Sequence, residues 1–73
     1  MSLAAKYLQP QPRFRVRDVS AEYGLPCFDI VYADEEAGVE RYSESVWHSE
    51  AEAMIQASML EAANARPAHW DVI

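Results

Sequence analysis

Two sets of charged residues have the type and spacing to do work. The first is Arg13, Arg15 and Arg17, three arginines on alternate positions. On an extended strand they would stand in a row about 6.5–7 Å apart on one face, the geometry of a ridge that tracks phosphates. The same row is silent if acids on neighbouring strands neutralise it, because opposite charges paired across strands are an ordinary sheet device. Asp29, Glu40 and Glu44 fall where they could do so. No exposed aromatic interleaves with the arginines, so the stacking half of a nucleic-acid platform is missing from that segment.

The second set is acidic: Asp34, Glu35, Glu36, Glu40, Glu44, Glu50 and Glu52. Dense carboxylates little opposed by lysine could imitate a phosphate backbone and occupy a basic groove on another protein. As a plain alternative they form a solvated, solubilising surface. The charge is lopsided along the chain. Residues 1–18 carry four basic residues and one acid, and residues 19–73 carry two basic residues and eleven acids, within a net charge of −6. Such a chain should be repelled by nucleic acid and anionic lipid and drawn to basic surfaces. No direct nucleic-acid or membrane partner is therefore expected.

Other chemistries find little support. Asp34-Glu35-Glu36 lacks the alternating ligand spacing and closing glutamate of a calcium loop. Cys27, His48 and His69 are single and scattered, without the paired spacing of a zinc site. Ser43, Ser45, Ser49 and His48 are close in sequence, but a strand would turn His48 away from Ser43 and Ser45, and Ser49 is a helix cap. Two glycines, Gly24 and Gly38, make no phosphate loop. The expectation is a protein that is not an enzyme, with no metal and no cofactor.

The elements that must position these residues follow from period and punctuation. The 73 residues make a single domain, and a fold this small buries only about 60% of its unfolded surface. Residues 1–12 read as a lead-in, with one helical turn from Leu3 to Leu8 ended by Pro10 and Pro12. Arg13–Val19 alternates strictly and predicts a strand, with Phe14 and Val16 on one face. Ser20–Pro26 reads as a connection. A second strand is expected over Cys27–Ala33, with Phe28, Ile30 and Tyr32 on one face and Cys27, Asp29 and Val31 on the other. Asp34–Gly38 is a hairpin turn. A third strand is expected over Val39–His48, with a bulge near Glu44–Val46 to reconcile its faces. The meander thus spans 13–48.

Ser49-Glu50-Ala51-Glu52 is a capping box that opens a helix over 49–65, ended by Arg66-Pro67. At 100° per residue, Ala51, Met54, Ile55, Ser58, Met59, Ala62 and Ala65 form one stripe, expected to face the sheet. Ala53, Ala57, Leu60 and Asn64 lie opposite. Ala53, Ala57 and Leu60 there are a candidate homodimer seam, and Trp47 and Trp70 are candidate anchors. The tail over 66–73 alternates weakly and could add a short fourth edge strand. The predicted class is α+β, a three-stranded antiparallel sheet with one helix on one face and the other face wet.

A lone Cys27 excludes an internal disulfide. The start lacks the apolar run of a signal peptide, so the cytoplasm is the expected compartment. Short, acidic, alanine-rich and without a catalytic motif, the chain resembles the small phage- and prophage-encoded inhibitors of the anti-CRISPR kind. Trp47-His48-Ser49-Glu50-Ala51-Glu52-Ala53 is its nearest local match to them, a strand-to-helix junction. The resemblance implies a small sheet with a helix, and a role in blocking a basic, nucleic-acid-handling surface of a partner protein. Asp34, Glu35, Glu36, Glu40 and Glu44 are the expected phosphate-like contacts, extended by Glu50 and Glu52. The alternatives are a homodimeric accessory domain and a nucleic-acid reader using Arg13, Arg15 and Arg17.

Overall fold

The alternation of Arg13–Val19 becomes β1 (Phe14–Asp18), which pairs antiparallel with β2 (Phe28–Asp34), Val16 standing opposite Ile30. The structure is a computed structural model that describes residues 12–73. The helical turn expected over Leu3–Leu8 lies outside those residues. β2 turns through residues 35–38 into β3 (Val39–Tyr42). Gly38 takes φ 71°, where a side chain would be strained, and its N–H closes the turn on the Asp34 carbonyl at 2.8 Å. The tail supplies the fourth strand, β4 (Asp71–Val72), against β3. The sheet order is β1-β2-β3-β4.

β3 is shorter than its expected span. At Ser43 the hydroxyl enters the ladder and accepts from the Ile30 N–H at 3.1 Å. Pairing resumes only at a bridge between Phe28 and Trp47. Two residues of β2 therefore face four of the third segment, an interruption where the alternation of Val39–His48 is imperfect. The stretch read as a connection contains a one-turn helix, α1 (Ser20–Tyr23), closed by Gly24 in the left-handed region at φ 73°.

The main helix, α2 (Glu50–Ala62), starts at Ser49, whose hydroxyl accepts from the Glu52 N–H. That is the hydroxyl half of the capping box. It ends earlier than residue 65, in a Schellman motif. Ala65 N–H reaches the Leu60 carbonyl and Asn64 N–H the Glu61 carbonyl, with Asn64 at φ 54° in the place glycine usually takes.

The rotation of α2 about its own axis overturns the expected core stripe. Ala53 is wholly buried and Ala57 nearly so, and Leu60 packs on the core. Met54, Ile55 and Met59 are exposed by 55–59%, and Ala51, Ser58 and Ala62 are exposed beside them. The reason is volume. The sheet face under the helix already carries Phe14, Tyr32 and Trp70, whose rings stack at 5.0 Å (Phe14–Tyr32) and meet edge-on at 6.2 Å (Phe14–Trp70). Close packing over three large rings leaves room for alanine rather than methionine. The seam expected at Ala53, Ala57 and Leu60 is accordingly inside the domain.

The second sheet face is drier than expected at its centre. Val31 is 1% exposed and stands between Arg15 and Tyr42 in the register. Arg15 Nη2 donates to Glu40 at 3.0–3.1 Å, a bridge from β1 to β3 that must pass over β2. The stems of these long side chains thus roof the middle strand.

Candidate functional site

The seven expected acidic contacts do not gather into one patch. The hairpin with Asp34, Glu35 and Glu36 lies by the C-terminal end of α2, where Glu36 pairs with Arg66. Glu50 and Glu52 lie at the other end, a helix length of about 20 Å away. Asp34 is buried and bound to Arg41 Nε at 2.8 Å and to the turn N–H of Ala37. The Arg41 bond, followed by that backbone N–H, holds its carboxyl below the usual 3.8. Glu40 is held by Arg15, and Glu44 Oε1 stands 3.4 Å from His69 Nε2. Glu35, Glu50 and Glu52 make no ion pair among the described residues.

The arginine row is neutralised and also broken. Arg13 leaves the sheet face. Its guanidinium bonds Glu61 of α2 and the Ala65 carbonyl just past the helix, while Glu61 also accepts from the N–H groups of Arg13 and Phe14. Arg17 sits directly opposite Asp29 in the ladder and is held by it bidentately, at 3.0 and 2.6 Å. Each of the three guanidiniums is thus engaged with a carboxylate of this chain, which weakens them as phosphate ligands.

What the fold does gather is a polar concavity of about 550 Å³ on the face opposite α2. Five separate segments wall it. β1 contributes Arg17, α1 contributes Glu22 and Tyr23, β2 contributes Asp29, β3 and its continuation contribute Tyr42 and Glu44, and β4 contributes Asp71. Val19 and Val46 add apolar surface. The Arg17 guanidinium lies 5.8 Å from the centre of the Tyr42 ring. The hydrogen bond to Asp29, aided by the fields of Asp29 and Glu22 and only partly offset by burial, raises the guanidinium pKa above its ordinary value. Four carboxylates therefore face one guanidinium that is already bound to one of them.

This arrangement suits a cation with an apolar stem. Tyr23 and Tyr42 line the concavity, the Tyr42 ring lying under the Arg17 guanidinium, Val46 adds apolar surface, and Glu22, Glu44 and Asp71 add carboxylates to the wall. Nucleophilic chemistry is not prepared there. The Ser43 hydroxyl donates to the Ser45 carbonyl and accepts from Ile30, Ser49 caps α2, and His48 Nδ1 lies 2.9 Å from the Pro26 carbonyl. Cys27 is wholly buried. Among the described residues no three His, Cys, Asp or Glu side chains are arranged to hold a metal ion, and no helix is long and apolar enough to cross a membrane.

Of the residues lining the concavity, the sequence singled out Arg17, Asp29 and Glu44 for their charge and Ser43 as a candidate nucleophile. Glu22 and Tyr23 lay in a stretch without periodicity, and Asp71 in a two-residue strand. Comparison with protein-family models, with curated proteins and with solved structures returns no match for the chain.

Proposed function

We propose that the chain is a non-enzymatic protein-binding domain that grips a cationic surface of a partner through the concavity opposite α2. The observation that supports this reading is the lining: four carboxylates and two tyrosines around a single guanidinium that Asp29 already holds. A protruding lysine or arginine fits it, with the carboxylates meeting its charge. A net charge of −6 steers the molecule toward such surfaces. Strongly basic protein surfaces commonly serve to hold nucleic-acid phosphate. The partner class proposed is therefore a nucleic-acid-handling protein, and the action proposed is inhibition by occupancy, as in the phage-encoded inhibitors the chain resembles.

Titration with an oligo-arginine peptide at low and high salt tests this. The triple variant Glu22→Gln, Glu44→Gln, Asp71→Asn should lose about tenfold or more in affinity at unchanged melting temperature. Glu35→Gln with Glu36→Gln, on the hairpin, should leave affinity within about twofold. Equal binding by the triple variant, or loss confined to the hairpin variant, overturns the assignment.

A further inference from the structure

β1 is an outer strand of the sheet, and no described residue pairs with its free side. Such an edge offers main-chain N–H and C=O groups to another strand. The register says which groups these are. Across the β1–β2 ladder the Arg13 carbonyl accepts from Ala33 and the Val19 N–H donates to Cys27. Bonding alternates along an antiparallel strand, so the odd-numbered residues of this stretch bond β2. Phe14, Val16 and Asp18 turn their main-chain groups outward.

Glu61 stops one end of this edge, because its carboxylate already takes the Phe14 N–H. The Phe14 carbonyl and both main-chain groups of Val16 remain. They open onto a groove of about 400 Å³ between β1 and α2. Phe14 and Val16 form its sheet side, and Met54, Ala57 and Ser58 its helix side. Glu50 marks the other end, about 16 Å along the helix from Glu61. An outward row of N–H and C=O groups is complementary to one thing, another extended backbone, and the groove beside it takes that backbone's alternate side chains.

We infer that the outer edge of β1 docks an extended segment of a partner protein, added to the sheet as a fifth strand antiparallel to β1. Its residues opposite Phe14 and Val16 point under α2 and are apolar. Because Glu61 lies at the start of β1, α2 runs back along the strand, and Glu50 lies toward the end of β1. An antiparallel segment brings its N-terminal end there. Glu50 makes no ion pair among the described residues, so a lysine or arginine at that end of the segment is complementary to it. A second copy of this chain fits the edge poorly. Pairing centred on Val16 would set Arg15 of each copy opposite Arg17 of the other. α2 also packs mainly over β1, so two paired edges would crowd their helices. This edge is separate from the concavity opposite α2 and does not depend on the reading given to it.

The test is titration of the full chain with a labelled heptapeptide that has lysine second, valine fourth and sixth, and threonine elsewhere. Binding should be measurable below about 1 mM. The same peptide N-methylated on its fourth and sixth residues, whose N–H groups face β1, should lose at least about tenfold in affinity. N-methylation of the third and fifth, which face away, should leave it within about twofold. Val16→Pro removes the outward N–H without removing a bond to β2 and should weaken binding to the same degree as the first methylated peptide. If that variant does not fold, the two methylated peptides decide the matter alone. Glu50→Gln should weaken binding about two- to threefold, and less at high salt. Glu22→Gln, Glu44→Gln, Asp71→Asn should bind the heptapeptide as the wild type does, which separates this site from the concavity. Equal binding of the two methylated peptides, or no binding at about 1 mM, overturns the inference. So does a sedimentation mass twice 8.3 kDa that Val16→Pro restores to the monomer value, since the edge then belongs to a second copy.

Discussion

The two faces of α2 divide its residues against the usual rule. Alanines Ala53 and Ala57 go inward, while Met54, Ile55 and Met59 go out. Residue hydrophobicity alone would orient the helix the other way. What decides is the surface it meets: Phe14, Tyr32 and Trp70 already supply the bulk of the core, so the helix contributes closeness rather than volume. Glu61 fixes the orientation by bonding the N–H groups of Arg13 and Phe14 at the start of β1. The same contrast appears among the ion pairs. Asp34–Arg41 has side chains 8% and 16% exposed, whereas Arg15–Glu40 has side chains about half exposed. Identical chemistry therefore has different weight in different surroundings.

The largest expected effect breaks the contrast between helix faces directly. Ala57→Leu overfills the space above the rings and should cost about 1–3 kcal/mol in denaturant unfolding. Met59→Ala, measured on dilute protein, should stay within about 0.5 kcal/mol. Comparable losses at both positions would mean that the outward face is packed within the monomer.

The enclosed ion pair gives the next effect. The carboxyl of Asp34 is depressed below 3.8 in the folded state, so its contribution is fully present above that value and is lost as pH falls through the depressed folded value. Melting temperature should therefore drop below about pH 4, and Asp34→Asn should flatten this part of the acid limb while lowering stability at neutral pH. An unaltered acid limb would show that Arg41 does not hold Asp34 in solution. The smallest effect belongs to the exposed pair. A double-mutant cycle on Arg15→Gln and Glu40→Gln should give about 0.2–1 kcal/mol, diminished by salt. A larger, salt-independent coupling would mean that the bridge over Val31 is effectively buried.

Local signals in the chain were readable and nonlocal ones were not. The alternation of residues 13–19 and 27–33, the turn at Gly38 and the cap at Ser49 are dictated by neighbours a few positions apart, and all appear in the fold. The short pairing of the tail as β4 was visible as weak alternation. The facing of α2 was not, because helical period identifies a stripe but not the shape of the partner surface. β3 ends at Tyr42 because one hydroxyl, that of Ser43, takes over a ladder bond. Arg13 fits the strand period and is drawn off it by Glu61, 48 residues away. The acidic residues divide because the helix returns along the sheet, which separates its first turn from the hairpin. The concavity opposite α2 draws on five segments, one of them the single turn of α1, too short for any period to reveal.

Cys27 is wholly enclosed at the corner where β1, α1 and β2 meet, with its N–H donated to the Ser20 hydroxyl and its carbonyl accepting from Val19. A sulfur in that position is shielded from alkylating reagents until the corner opens. Its labelling rate is therefore a native clock, reading the opening free energy of that corner without an added probe.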